Sequence, residues 1–248
     1  MSLLNYSLSL ADSTLLLGQR NSEWCGHGPV LEQDIAITNI SLDLIGQARN
    51  FYQYAAIIRN DGSTEDTLAY LRDAREFRNL LLVELPNGDW GSTILRQFFF
   101  SNYQHLLYTK LQQSNDEQLA AIAAKALKEV TYHLRWSSEW VIRLGDGTAE
   151  SHRRMNDALQ ELWPYTGEMF IPVPFEKEIA NKQTAPDPGS LKDAWMEKTA
   201  EIFHAATLDL PGNVFMHTGG KEGNHTEHIG FVLAEMQFLQ RAYPGAEW

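Results

Sequence analysis

The chain has 248 residues, of which 21% are charged and 44% hydrophobic, and its formal net charge is −12. A chain of this length and composition is typical of globular proteins, which bury a core without disulfides or metals. The acidic balance disfavours nucleic acid as a partner, because it repels polyphosphate. The single cysteine, Cys25, excludes a disulfide within the chain and a multi-thiolate metal site. It favours a reducing compartment, and we expect the cytoplasm.

The apolar N-terminal stretch does not predict a signal peptide, because no basic residue precedes it and Asp12 interrupts it. No window approaches 18 uninterrupted apolar residues, so the sequence predicts no membrane-spanning helix. We therefore expect no membrane partner.

A helical hairpin is predicted at the start of the chain. Leucines within residues 5–24 indicate a first helix, and the glycines and proline at 26–29 end it. Residues 29–59 then predict a long central helix with two adjacent apolar stripes, which calls for neighbours on at least two sides. The first stripe is Leu31, Ile35, Thr38, Leu42, Ile45 and Tyr52, and the second is Ile37, Ile40, Leu44, Ala48, Phe51, Ala55 and Ile58.

The middle of the chain predicts further helices with polar caps. Ser63 or Thr64 is expected to cap a short helix, and Ser92 an aromatic-rich helix that runs to about residue 113. Asn115-Asp116 is expected to start a long helix that the glycines at 145 and 147 end. Residues 150–170 predict another helix, broken near the proline at 164.

The last third of the chain is less regular. Residues 171–187 contain three prolines and predict an irregular connection that holds at most a short helical turn. Ser190 is expected to cap an amphipathic helix, and a glycine-rich loop followed by a last helix is predicted over residues 218–248. No strand pattern of any length is found. The sequence therefore predicts an all-α helical bundle with additional helices, as a single domain over residues 1–248.

In helical bundles the first metal site to test is the carboxylate-bridged di-metal centre. It takes one Glu from each of two helices and Glu-x-x-His from each of two others, because residues three apart share a helix face. The central helix has Leu44-x-x-Gln47 in place of that motif, and the later helix has Val130-x-x-His133. Leucine and valine donate nothing to a metal, so we predict no metal site and no catalytic site in this chain.

Four stretches carry a resemblance to a known family: residues 22–51, 76–90, 125–137 and 218–248. With them the chain resembles, from end to end, the C subunits of ring-1,2-phenylacetyl-CoA epoxidases, which are bacterial multicomponent monooxygenases. The resemblance implies a ferritin-like fold and a non-catalytic structural subunit of an oxidoreductase complex for phenylacetate degradation. It also implies a catalytic partner subunit that carries the di-iron centre, other subunits and a reductase. Self-association of the isolated chain stays open.

The polar residues at these positions have structural interpretations that we favour. His133 lies in an apolar stripe, so we interpret it as a hydrogen-bonded core histidine, and Gln47 as a residue that fills an old ligand position, conceivably facing His133. By approximate spacing, Thr14 and Asn102 fall where the two lone Glu residues of a di-iron protein would be. The alternatives to a structural subunit are a stand-alone helical carrier and an oxygenase with a rearranged metal site.

The loop at residues 218–228 is predicted to be an ordered segment at a partner interface. Its glycines permit backbone conformations that other residues avoid. Lys221 and a helix N-terminus expected near Asn224 could meet an anion of the partner or of the CoA moiety, and His225 and His228 are assigned to the same contact. The alternatives are that Lys221 is solvated and that the two histidines bind zinc, for which further ligands are lacking.

Overall fold

The computed structural model describes residues 1–246, and all of the regular secondary structure in that range is helical, which confirms the all-α prediction. The last two residues of the predicted C-terminal loop and helix lie outside the described range. The α-helices are α1 (Ser2–Ser22), α2 (Leu31–Arg59), α3 (Glu65–Tyr70), α4 (Leu81–Glu84), α5 (Trp90–Leu111), α6 (Glu117–Gly145), α7 (Ala149–Leu162), α8 (Pro174–Asn181), α9 (Lys192–Ala205) and α10 (His228–Ala242).

The chain packs as two compact units. The first, which we call the terminal unit, contains residues 1–86 and the C-terminal residues from Gly219 onward. The second, the central unit, contains residues 87–218. The single domain that we expect over residues 1–248 stays a prediction.

The terminal unit is built on an antiparallel pair of helices, which confirms the predicted hairpin. α1 packs along α2, so that Tyr52 near the end of α2 bonds to Asp12, and Gly18 near the end of α1 lies against Leu44. A methyl group at Gly18 would lie 3.3 Å from the Cβ of Leu44, which is tight for a packed pair of helices. α3, α4 and α10 pack around this hairpin.

Only one of the two apolar stripes of α2 is buried along its length. The second stripe is buried from Ile37 to Ala55, as predicted. In the first stripe, which we call the outer stripe, Leu31 is 72% exposed and Leu42 62%, and Ile35 and Ile45 are exposed as well. The prediction that both stripes are covered is therefore wrong for the outer one, because periodicity tells which residues share a helix face and not which face has a neighbour.

The central unit has an aromatic core formed by α5, α9 and the segment that follows α7. Trp195 on α9 lies 5.5 Å from Phe99 on α5 and 5.9 Å from Trp163, measured between ring centroids. The ring nitrogen of Trp195 also donates to the carbonyl oxygen of Phe99 at 3.0 Å. Phe98, Phe170 and Phe203 complete this cluster. The long helices α5 and α6 pack against each other beside it.

The predicted caps are partly confirmed. Thr64 caps α3 and Asp116 caps α6, as expected. Ser92 does not cap α5, because Asp89 accepts the backbone N–H of Ser92 and the helix begins at Trp90. The prediction for Ser190 is also wrong, because this residue lies in a short 3-10 helix, Pro188–Leu191, that precedes α9.

The proline-rich connection at residues 171–187 contains more structure than a turn, since α8 occupies Pro174–Asn181. Its first residue is a proline, which suits the first turn of a helix because its missing N–H would have no partner there. Among the residues that the structure describes, no helix is long and apolar enough to cross a membrane.

Candidate functional site

The two ligand-like positions of α2 are buried in the terminal unit. Leu44 and Gln47 are three residues apart on one face of the helix, and both are almost fully inaccessible to solvent. Leu44 contributes packing to the α1–α2 pair through its contact with Gly18. The position therefore holds a hydrocarbon side chain in a close helix contact, where a metal ligand would require an oxygen atom.

The two corresponding positions of α6 are buried in the central unit. Val130 and His133 are both fully inaccessible. The hydroxyl of Ser137 donates to the carbonyl oxygen of His133 at 2.7 Å, and the ring of Tyr132 lies edge-on to the imidazole. The burial fits our interpretation of His133 as a core residue. That His133 faces Gln47 stays a prediction.

The positions expected for the two lone Glu residues hold polar groups that bond within their own unit. Thr14 donates to the carbonyl oxygen of Leu10 at 2.5 Å. The side-chain amide of Asn102 donates to the carbonyl oxygen of Trp195 at 3.1 Å and to the hydroxyl of Thr199 at 3.3 Å. These bonds are those of helix interior and helix packing residues.

A di-iron centre does not fit the side chains at these positions. Iron in such sites is held by carboxylate and imidazole groups, and four of the six positions that we assigned carry Leu, Val, Thr or Asn. In residues 1–246, no group of three or more His, Cys, Asp or Glu is placed to hold a metal ion. That the chain binds no metal in solution stays a prediction.

Asp12 and Arg72 form a buried ion pair in the terminal unit that we did not predict from the sequence. Asp12 of α1 is fully buried and accepts four hydrogen bonds. Its donors are the hydroxyl of Tyr52 at 2.6 Å, the backbone N–H of Arg78 at 2.7 Å and two guanidinium nitrogens of Arg72, one of them at 3.1 Å. The guanidinium group also lies 4.2 Å from the ring centre of Phe77.

The surroundings of Asp12 raise the pKa of both Tyr52 and Arg72. Burial raises the pKa of the Tyr52 hydroxyl well above 10, and the negative charge of Asp12 raises it further. Burial acts to lower the pKa of Arg72, but attraction to Asp12 and Tyr52 and the hydrogen bonds to Asp12 together outweigh burial, so the pKa is raised. Tyr52 therefore stays a neutral donor and Arg72 a cation, and the pair needs no external partner.

Glu84 is the second buried carboxylate of the terminal unit and binds the C-terminal segment. It accepts from the amide of Asn79 at 2.8 Å and from a ring nitrogen of His225, also at 2.8 Å. The backbone N–H and the hydroxyl of Thr226 donate to its other oxygen, at 2.6 and 2.7 Å. Arg20 of α1 donates to its backbone carbonyl oxygen at 2.9 Å.

Both ring nitrogens of His225 face acceptors. Nδ1 lies next to Glu84, and Nε2 lies 3.2 Å from the carbonyl oxygen of Phe77. Both nitrogens therefore have a hydrogen-bond partner within the terminal unit. The side chain is 4% exposed. Contact between His225 and a partner or CoA is untested, but its nitrogens are engaged within the chain.

The loop at residues 219–223 fits tightly against the segment before α4. Gly223 has φ of +84°, and a methyl group there would overlap the carbonyl oxygen of Arg75, so only glycine suits the position. A methyl group at Gly220 would likewise overlap the carbonyl oxygen of Asn79. Lys221 is 2% exposed, which contradicts the alternative that it is solvated. The last helix begins at His228, so its N-terminus is not near Asn224 as we expected.

The hydrogen bonds of Asp12 and Glu84 connect distant segments of the terminal unit. The oxygens of both carboxylates accept hydrogen bonds from several donors each, so neither is placed to take a proton from a substrate. One signal in the sequence pointed to them, since each is an acidic residue inside an apolar run, LSLADSTLLL for Asp12 and LLLVEL for Glu84. The donors come from distant parts of the chain, which the sequence alone could not place.

Comparison with known proteins gives one consistent result. The chain matches the family described as phenylacetic acid catabolic protein over residues 1–248. It is also 50% identical, over 243 residues, to the protein of Escherichia coli (strain K12) that is named as the C subunit of 1,2-phenylacetyl-CoA epoxidase. The similar region covers 98% of both proteins. On these two findings, the chain belongs to the phenylacetic acid catabolic protein family.

Proposed function

We propose that the chain is a non-catalytic, structural subunit of a 1,2-phenylacetyl-CoA epoxidase complex and that it pairs with a catalytic di-iron subunit. The likeness to the Escherichia coli epoxidase protein, over nearly the whole of both chains, supports this proposal. In this role the chain is a ferritin-like cytoplasmic protein of aerobic phenylacetate degradation. The partner subunit holds the iron and epoxidises the aromatic ring with O₂ and electrons from a reductase.

The observation that carries the proposal is the chemistry of the buried ligand-like positions. Leu44 and Val130 stand where the carboxylates of two Glu-x-x-His motifs would be, and both are fully buried. Hydrocarbon side chains offer no lone pair to a metal, and without carboxylates the charge of two metal ions would have no offset.

The outer stripe of α2 supports a role in assembly. Four of its aliphatic side chains, spaced over about four turns from Leu31 to Ile45, are exposed. Large apolar surfaces of this kind mark interaction sites in folded proteins, because leaving them in water is unfavourable. The stripe is our candidate surface for the di-iron subunit.

Metal analysis separates this function from an oxygenase with a rearranged site. We expect the purified chain, after incubation with ferrous iron or manganese and gel filtration, to hold far less than one metal ion per molecule. Stoichiometric metal that is lost in the His133→Ala variant would contradict the proposal.

Gel filtration with the di-iron subunit of the same organism tests the pairing and separates it from a stand-alone carrier. We expect the two chains to co-elute at micromolar concentration. Leu42→Glu in the outer stripe should weaken the pairing by about tenfold or more, as expected for a buried apolar contact. Ile57→Glu is the matched control, because Ile57 is an exposed residue of the same helix outside the stripe. Independent elution of the wild-type chains would refute the pairing.

A further inference from the structure

The outer face of α10 carries two exposed phenylalanines. Phe231 is 66% exposed and Phe238 is 62% exposed. They are seven residues apart, so they project from the same side of the helix, about 10.5 Å apart along its axis. Exposed aromatic side chains one heptad apart are the pattern by which a helix inserts into a groove of another protein.

The opposite face of α10 is fixed to the terminal unit. Ile229, Val232 and Leu233 are buried, and the amide of Gln237 donates to the carbonyl oxygens of Ala69 and Arg72 at 3.2 and 3.0 Å. The inner contacts therefore hold the helix, and the two phenylalanines stand on a defined surface. Ordered anchors lose little conformational entropy when they bind.

A groove beside Phe238 offers room for side chains of a partner. It has a volume of about 590 Å³ and runs between α10 and the residues that follow α3. Leu233, Ala234 and Ala242 line it on the helix side, and Asp73 and Ala74 on the other. Arg241 at its end bonds to Asp73 at 3.1 Å, so the charge of that arginine is already offset.

The charge on this face indicates which kind of molecule covers it. Glu235 lies between the two phenylalanines, at helical spacings of four and three residues from them, and it is exposed. Asp66 is exposed as well and lines a neighbouring groove. A second copy of this chain, with a net charge of −12, would bring like charges together at the contact. A partner with basic groups would complement them.

We infer that α10 docks into a different protein, one that presents two apolar sockets about 10.5 Å apart with a Lys or Arg between them. Phe231 and Phe238 fill the sockets, and Glu235 pairs with the cation. This surface lies on a different helix from the outer stripe of α2, so the inference does not depend on the partner proposed above.

Site-specific photo-crosslinking in cells of the source organism tests the inference on the full-length chain. A photoreactive phenylalanine analogue is placed at residue 231 or 238, and at residue 215 as the matched control. Phe215 is 77% exposed but belongs to the central unit. We expect a crosslink to one protein other than this chain from residues 231 and 238, with a Lys or Arg near the crosslinked position of the partner.

Charge variants make the test specific. Glu235→Lys should lower the crosslink yield by about tenfold, because it places two cations together in a buried contact, and Glu235→Gln should lower it less. Glu161→Lys, an equal charge change at an exposed position of α7, should leave it unchanged. Thermal melting checks that each variant is folded.

Three results would overturn the inference. They are a crosslink to a second copy of this chain, a yield from residues 231 and 238 no higher than from residue 215, and a yield that Glu235→Lys and Glu161→Lys affect equally. Co-elution of the wild-type chain with the di-iron subunit is measured separately from these crosslinks. The failure of one proposal is therefore distinguishable from the failure of the other.

Discussion

The two units of the chain contain buried clusters of different chemistry. The terminal unit places two fully buried carboxylates, Asp12 and Glu84, among donors from distant segments. The central unit places tryptophan and phenylalanine rings from α5, from α9 and from the segment after α7 against each other. Apolar packing tolerates exchange between side chains of similar volume, whereas a buried charge fixes its partner and its geometry. The difference indicates that the arrangement around Asp12 and Glu84 is more narrowly specified than that of the aromatic cluster.

Removal of Asp12 is expected to lower the stability of the protein more than any other change considered below. We expect Asp12→Ala to lower the free energy of unfolding by about 3–5 kcal/mol, because it leaves the buried guanidinium of Arg72 without its counter-ion. Urea denaturation measures this loss. The double variant Asp12→Leu with Arg72→Met should recover much of it, since it removes both charges. A loss in the single variant below about 1 kcal/mol, the range of exposed pairs, would show that the pair contributes little.

Substitution of Glu84 tests whether the charge of this carboxylate holds the C-terminal segment in place. Glu84→Gln should cost about 1.5–3 kcal/mol, the range of hydrogen bonds to charged groups, because the neutral amide cannot accept from all four donors. We expect limited proteolysis to cut the chain faster after residue 218. Glu222→Gln, at an exposed position of the C-terminal segment, is the control. Equal cleavage rates in the two variants would contradict the role of the Glu84 charge.

The central unit should respond less to the loss of a single hydrogen bond. Trp195→Phe removes the bond to the carbonyl oxygen of Phe99 and shortens the ring, but the aromatic cluster remains. We expect a loss of about 1–2 kcal/mol in urea denaturation. A loss as large as that of Asp12→Ala would remove the contrast between the two units.

Alkaline pH is expected to have the smallest effect on the stability of the protein, and this effect increases gradually with pH. Burial is the main cause that raises the pKa of both Tyr52 and Tyr103 well above 10. The folded state therefore keeps a proton that the unfolded chain releases, so this stability is complete below pH 10 and declines as the pH rises above it. Tyr103→Phe should flatten part of the decline, as measured by urea denaturation between pH 9 and 11. A slope that stays unchanged in this variant would exclude a contribution of Tyr103.

Local features of the fold are predictable from the sequence because local rules determine them. The central helix is predicted at residues 29–59 and is found at Leu31–Arg59, and the caps at Thr64 and Asp116 follow from side chains next to their helices. The exposure of Leu42 could not be predicted, since it depends on which neighbours a helix face receives. The buried role of Asp12 was missed for a related reason: its donor Arg72 is 60 residues away in the sequence.

The candidate site likewise has some features that are predictable from the sequence and others that are not. The absence of carboxylates at positions 44 and 130 is evident directly from the sequence. The burial of Lys221 is not, because a lysine in a glycine-rich loop of an acidic protein is usually exposed. The glycines on either side of it, Gly220 and Gly223, lie against the backbone of Asn79 and Arg75, and close approach of this kind is a property of the tertiary structure.

The hydrogen bonds between Glu84 and the C-terminal segment also bear on how the protein is made. His225 is 141 residues from Glu84 in the sequence, and the whole of the central unit is synthesised between them. On the ribosome, the central unit is therefore complete while the helical pair α1–α2 still lacks α10 and the loop before it. Domains generally fold as units during synthesis, so the first helices to emerge belong to the last unit that can close. Until α10 has emerged, chaperones and proteases meet a terminal unit with its α10-binding surface uncovered.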